Sequence, residues 1–272
     1  MKKVLIAFSS LTLFFFLLNS SIGATNVAIT MDGKKVDLNA KLINSTTYVP
    51  VSSFGKLIDT NVTTSWDWDT RTLSFTSDHI VLTIGESDKY MTANERCLYL
   101  PSEPLLLDGY IYVPIRTLAA VFGASVTWND AGKFVTVHPT GNYIQPGTKY
   151  YKSDELYWLS RIISAESKGE PLLGQIAVGN VVLNRKASGN YPQTIHGVIF
   201  DKAFGIQFTP ASDKSIFNPP TETSVTAAKI CLEGTSLSDK ALYFLNQKTA
   251  KSSWIVKNRG YVMTIGNHSF YS

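Results

Sequence analysis

One four-residue phrase occurs twice in this chain, and its repetition restricts the first half to a duplicated unit. Tyr48-Val49-Pro50-Val51 returns as Tyr112-Val113-Pro114-Ile115. An apolar helical stretch follows each copy: Phe54, Leu57 and Ile58 in the first, Leu118, Ala119, Val121 and Phe122 in the second. Then come Val62, Trp66 and Asp67, matched by Val126, Trp128 and Asn129. Each copy closes on an alternating strand, Thr72–Phe75 and Lys133–Val137. The unit is therefore strand, proline-initiated helix, strand. Asp108-Gly109, set between Leu105–Leu107 and Tyr110–Val113, predicts a tight hairpin turn. Tryptophan at a repeat position favours the core, so Trp66 and Trp128 are expected inside, although these two and Trp68 have the chemistry to stack on sugars.

The repeat ends near residue 140. Pro139–Thr148 is rich in Gly, Pro and polar residues and has no period, which marks a seam between two domains of ordinary size. The division expected is residues 25–140, a linker over 141–152, and a second domain over 153–272.

The second domain opens on a helix. Ser153 is the expected N-cap, with Asp154 and Glu155 in the first turn. Leu156, Leu159, Ile162 and Ile163 form one stripe, and Glu166 follows three and four residues beyond its end, on the same side. Lys168-Gly169 ends this helix and Pro171 opens the next, which runs to about Lys186. Gly174 and Gly179 inside the second helix cost stability, and close approach of a neighbouring backbone is the expected return. Thr221–Gly234 predicts a third helix, and Ala241–Asn246 and Gly260–Ile265 predict strands.

A helix-terminal carboxylate facing apolar neighbours is how a protein holds an acid protonated near neutral pH. Such an acid can protonate the leaving oxygen of a glycosidic bond. A hydrolase of either stereochemistry needs a partner carboxylate. Glu170 is four residues on, but Gly169 and Pro171 interrupt the helix, so it is expected at the start of the second helix, favoured by the dipole. Asp201, Asp213 and Glu222 are further candidates that nothing in the sequence separates. A lytic transglycosylase needs no partner: one Glu serves as acid and then base while the muramic 6-hydroxyl attacks its own anomeric carbon.

Several spaced motifs in this half resemble the SleB-type cell wall hydrolases, the family of spore cortex-lytic enzymes. They are Ser164-Ala-Glu-Ser-Lys-Gly-Glu-Pro171, Gly174–Arg185, Gly205-Ile206-Gln207-Phe208, Tyr243-Phe244-Leu245-Asn246 and Gly266-Asn-His-Ser-Phe-Tyr271. Ile206 stands where that family usually has glycine. The resemblance covers residues 153–272 and implies a lysozyme-superfamily-like catalytic domain with Glu166 as general acid/base. It also implies that Gln207, Phe208, Tyr243, Asn246, Asn184 and His268 contact the glycan strand. Residues 26–140 resemble the copper amine oxidase N-terminal, stalk-like domain, which implies spacing or wall attachment rather than oxidation. The whole is then an α+β protein: a β-rich stalk-like domain with duplicated strand-helix-strand units, followed by the catalytic domain.

The chain's start agrees with that setting. Lys2 and Lys3, an apolar run from Val4 to Leu18, and Ser20, Ser21, Gly23 and Ala24 read as a secretory signal over residues 1–24. The product is expected outside the cell, in the wall or spore envelope, with no membrane attachment after cleavage. Residues 25–140 hold 9 basic and 12 acidic residues, net −3; residues 141–272 hold 14 and 9, net +5. A basic second half suits an anionic wall polymer, and the lack of a dense Lys/Arg run argues against nucleic acid. Cys97 and Cys231, one per half, are expected as separate buried thiols, although one inter-domain bridge is also open. The four histidines are scattered, so no metal or cofactor is expected. The lack of an obvious partner carboxylate and the SleB-type resemblance both favour a lytic transglycosylase of spore cortex, as in germination, or of vegetative wall; the alternatives are a muramidase or glucosaminidase using water and, from another class, a non-catalytic wall-binding protein.

Overall fold

A computed structural model describes residues 23–203, 205, 207–250 and 253–272. Residues 1–22, with nearly all of the predicted signal, lie outside the described residues, as does Ile206. Strands β1 (Thr25–Asn26), β2 (Ala28–Met31), β3 (Lys34–Val36) and β4 (Lys41–Ile43) lead into the first copy of the repeat. That copy is β5 (Thr46–Pro50), α1 (Val51–Ile58), β6 (Thr63–Asp67) and β7 (Thr72–Thr76). Next come β8 (Val81–Gly85), β9 (Tyr90–Ala93), β10 (Arg96–Tyr99) and β11 (Leu105–Leu107). The second copy is β12 (Tyr110–Pro114), α2 (Ile115–Val121), β13 (Ala124–Asn129) and β14 (Phe134–Pro139).

The two copies meet back to back. β5 and β12 pair antiparallel with Val49 opposite Val113, and Tyr112 and Pro114 opposite Pro50 and Tyr48. The repeated phrase is thus paired with itself about a local twofold. Pro50 and Pro114 occupy the N-cap positions, one residue ahead of the predicted first turn. Both helices send phenylalanines into one core, where Phe54 and Phe75 each pack edge-on against Phe122. Three sheets enclose it, in the orders β1-β4-β5-β12-β11, β10-β9-β8-β7-β6 and β13-β14-β2-β3. Asp108 and Gly109 both have positive φ, 51° and 78°, as a two-residue hairpin turn of the predicted kind requires. Trp66 packs partly against the core, but Trp128 is 38% exposed on an edge strand, contrary to expectation, and Trp68 is 81% exposed.

The second half is helical with a small sheet. Its elements are α3 (Gly147–Tyr150), α4 (Ser153–Ser167), α5 (Leu172–Ala187), α6 (Ile195–Phe200), α7 (Thr209–Asp213) and α8 (Glu222–Leu232). They are followed by β15 (Tyr243–Asn246), α9 (Trp254–Asn258), β16 (Tyr261–Ile265) and β17 (His268–Tyr271). The closing motif thus forms a strand of its own, central in the antiparallel order β15-β17-β16. Lys152, not Ser153, is the N-cap of α4. Helices α4, α5 and α8 pack on one another. Gly179 shows why α5 carries a glycine: a Cβ there would lie 2.7 Å from Cys231 Sγ and 2.8 Å from Ile163 Cδ1. The close approach is real, but it is to side chains of α8 and α4 rather than to backbone.

The seam is packed, not loose. Ile144 is buried against the first core, and Tyr151 is buried where β10 meets α8. There Arg96 grips Glu233 through Nε at 2.8 Å and Nη2 at 2.5 Å, and Tyr151 Oη donates to the same carboxylate at 2.5 Å. Cys97 joins the helical core, and both cysteines are buried free thiols, as expected.

Candidate active site

The site grows from the end of α4. Leu159, Ile162 and Ile163 are completely buried, and Glu166 follows on the last turn of the same helix. Glu166 is only partly exposed and makes no hydrogen bond or ion pair with any described residue. Burial raises its pKa, with the charge of Asp213 adding to the effect, to about 7. The negative end of the α4 dipole acts in the same direction. A carboxylate with no donor, in a desolvated place, is an acid that keeps its proton close to neutral pH.

The other carboxylates now separate. Glu170 lies between α4 and α5, directly before the Pro171 N-cap of α5, as expected, and its hydrogen-bond partner comes from elsewhere. It accepts from Asn267 N at 2.8 Å and Asn267 Nδ2 at 3.1 Å, which ties the turn between β16 and β17 to the α4–α5 connection. Desolvation opposes its ionisation, but those two bonds, with His268 and Lys248 nearby, leave its pKa lowered. Asp213 ends α7 and is the one candidate whose charge acts on Glu166. Hydrogen bonds from the Ser215 side chain and backbone lower its pKa. Glu166 and Asp213 are therefore pushed apart, one towards the acid and one towards the base form.

The predicted contact residues divide into two groups. Gln207 and Tyr243 line a cavity of about 600 Å³, together with Tyr191, Trp254 and Arg259. Gln207 accepts from Arg185 at 3.4 Å, and the hydroxyls of Tyr191 and Tyr243 are hydrogen-bonded at 3.1 Å. Asn246 ends β15 half-buried, with its Oδ1 accepting from Lys248 N. Phe208, Asn184 and His268 do not fit the role expected of them. Phe208 is 1% exposed and belongs to the helical core. Asn184 donates both amide hydrogens, to Ser238 O and Ala241 O, and so holds a loop. His268 is 8% exposed, beside the rings of Phe244 and Phe270, and burial lowers its pKa against the pull of Glu170.

Sequence reasoning missed the part played by Tyr191, Trp254 and Arg259. Arg259 carries no periodic or motif signal; only the pairing of β15, β16 and β17 brings it to Tyr243, with its guanidinium 4.5 Å from the ring centre. Among the described residues no three His, Cys, Asp or Glu side chains converge as metal donors, and no helix is long and apolar enough to cross a membrane.

Two stretches of the chain match known families. Residues 169–271 match the Cell Wall Hydrolase family, and residues 30–137 match the Copper amine oxidase N-terminal domain. The chain therefore carries a cell wall hydrolase domain behind a copper amine oxidase N-terminal domain, as the motifs imply. The first match begins three residues beyond Glu166, so the role of that residue rests on its geometry.

Similar proteins include the spore cortex-lytic enzymes of Bacillus cereus and Bacillus subtilis, 38% and 35% identical over 120 residues. The match covers 44% of this chain, and 45% and 38% of those relatives, so the chain spans less than half of either. Among solved structures, the catalytic domain of the germination-specific lytic transglycosylase SleB from Bacillus anthracis is 35% identical. That match covers 47% of this chain and all of that one, with a TM-score of 0.41.

Proposed function

We propose that this protein cleaves the glycan strands of peptidoglycan as a lytic transglycosylase, with Glu166 as its single acid/base. The observation that carries the reading is Glu166 itself: desolvated, unpartnered and half protonated near neutral pH. Its carboxylic acid gives a proton to the glycosidic oxygen as the bond to the anomeric carbon breaks. The resulting carboxylate then takes the proton of the muramic 6-hydroxyl as that oxygen closes onto the same carbon. Glu166 ends protonated, an anhydro ring replaces the glycosidic bond, and no water is consumed. The names of the relatives agree with this chemistry, and the basic charge of the second half suits an anionic wall polymer. A place outside the cell, reached through the predicted N-terminal signal, belongs to the same proposal.

Asp213 favours a second reading. Its carboxylate, held ionised beside a protonated Glu166, has the chemistry to activate a water, which would make the protein a muramidase or glucosaminidase. The first test is loss of turbidity of purified cortex and vegetative peptidoglycan with wild type and Glu166→Gln. Clearing by wild type alone supports catalysis through Glu166. Binding without clearing by either protein contradicts it and favours the wall-binding alternative.

A further inference from the structure

The duplication builds two copies of one groove, and no residue of the helical half lines either of them. Each lies between the helix start and tryptophan hairpin of one copy and the opening hairpin of the other. The first, about 250 Å³, sets Ser52 of α1 and Trp66 and Leu73 of β6 and β7 against Leu106, Tyr110 and Ile111 of the β11–β12 hairpin. The second, about 580 Å³, sets Arg116 of α2 and Trp128 and Val135 of β13 and β14 against Leu42, Thr46 and Thr47 of the β4–β5 hairpin. The strand registers match these residues one for one. Trp66 pairs with Leu73 as Trp128 does with Val135, and Leu106 with Ile111 as Leu42 does with Thr47. The local twofold between β5 and β12 therefore exchanges the two grooves.

What each groove offers is aromatic surface. Trp68 stands at the first, exposed and edge-on to Trp66 at 6.0 Å, and Tyr110 is exposed at the same groove. At the second, Trp128 is exposed, and its Nε1 donates to Asp130 Oδ1 at 3.3 Å, which holds the ring in place. Large apolar side chains left in water and gathered in a groove mark a contact surface. A pyranose ring suits such a surface. One of its faces carries only C–H groups, which stack on an indole, while the hydroxyls at its rim stay in water or reach Ser52 or Thr46. Charge argues against an anionic polymer. Residues 25–140 carry net −3, and Arg71, the cation at the first groove, is held by Glu86. Two small, separate cavities also differ from the single patch of roughly 800 Å² that a stable protein partner buries. A repeating polymer is what two like sites can hold at once.

We propose that the duplicated domain is a bivalent saccharide-binding module, which seats sugar rings of glycan strands on Trp68 and Tyr110 in one groove and on Trp128 in the other. The identity of the strand rests on the peptidoglycan reading above; the pair of sugar sites does not. Each contact is weak alone. Once one groove is filled the second binds intramolecularly, so the pair holds a repeating strand far more tightly than either does. The module thereby keeps the helical half on its polymer between cuts.

The test titrates full-chain Glu166→Gln protein onto purified peptidoglycan, and adds soluble N-acetylglucosamine oligomers to it while the tryptophan indole N–H signals are followed by NMR. The Trp68 and Trp128 signals should shift with the oligomer. In the same background, Trp68→Ala and Trp128→Ala should each weaken binding to peptidoglycan roughly tenfold, and the double variant roughly a hundredfold. Trp128→Tyr keeps a ring in the second groove and should retain binding within about threefold, which separates loss of stacking from loss of fold. Unmoved indole signals, or undiminished binding by the double variant, would overturn the module. A double variant no weaker than the single ones would overturn its bivalence. Binding that disappears once the wall is stripped of anionic polymers by hydrofluoric acid, or of protein by protease, would assign the surface to those partners and overturn the sugar sites. Tryptophan-dependent binding with no cleavage by the wild-type protein would sustain the module and sink the catalytic reading; cleavage with no tryptophan dependence would do the reverse.

Discussion

Replacing Glu166 by Gln should stabilise this protein in alkaline solution and do almost nothing to its stability in acid. The folded pKa of about 7 lies above the ordinary 4.5, so the native state holds the proton more tightly than the unfolded chain. The sign follows from linkage: the benefit of the neutral acid is complete below about pH 4.5 and is lost as pH rises through about 7. A difference of about 2.5 units at 1.36 kcal/mol each gives about 3 kcal/mol, and partial exposure of the side chain lowers that to about 2–3 kcal/mol. Gln is neutral at every pH and has nearly the same shape. Urea denaturation of both proteins, followed by tryptophan fluorescence between about pH 4.5 and 8.5, measures the difference directly. The Gln variant should gain about 2–3 kcal/mol on wild type across that range, mostly between pH 5 and 8. A difference that does not vary with pH would mean that Glu166 is solvated like a surface carboxylate, and the argument for its acid role would fall with it.

Three further outcomes follow from the same geometry. The alkaline limb of kcat/KM should lie near the Glu166 pKa of about 7, and Asp213→Asn should move that limb to lower pH by removing a negative neighbour; an unmoved limb would show that the two carboxylates do not interact. Gly179→Ala should destabilise the helical domain by about 1–3 kcal/mol in urea titrations despite the better helix propensity of alanine, because the new methyl meets Cys231 and Ile163; a more stable variant would refute the close packing. Arg96→Ala leaves the buried Glu233 carboxylate without its guanidinium, and should cost about 3–5 kcal/mol and expose the 141–152 segment to limited proteolysis; wild-type resistance would mean that β10 and α8 do not hold the halves together.

Local pattern made much of this legible. The duplicated phrase, the Asp108-Gly109 turn and the break between α4 and α5 each depend on a few consecutive residues, and all are where the sequence places them. Helical spacing puts Glu166 on the side of the apolar stripe, and the resemblance to the SleB-type family is what implies its acid/base role. The contacts that sequence cannot display are those made at long range. Glu170 stands at the start of α5 as expected, but its hydrogen-bond partner is Asn267, which the β16–β17 turn delivers from the far end of the chain. Phe208 was expected in the cleft, yet a phenylalanine beside a polar Gln207 fits a wall or a core equally well, and only the packing of α7 decides for the core. The same holds for Asn184, whose amide chooses a loop over a ligand.

The most direct test of the central claim is mass spectrometry of the soluble fragments released from purified peptidoglycan by wild type and by Glu166→Gln. A single acid/base predicts anhydromuramic ends from wild type and none from the variant. Reducing ends that take up labelled oxygen from water would contradict it and would mean a hydrolase, with Asp213 as the first candidate for its second carboxylate.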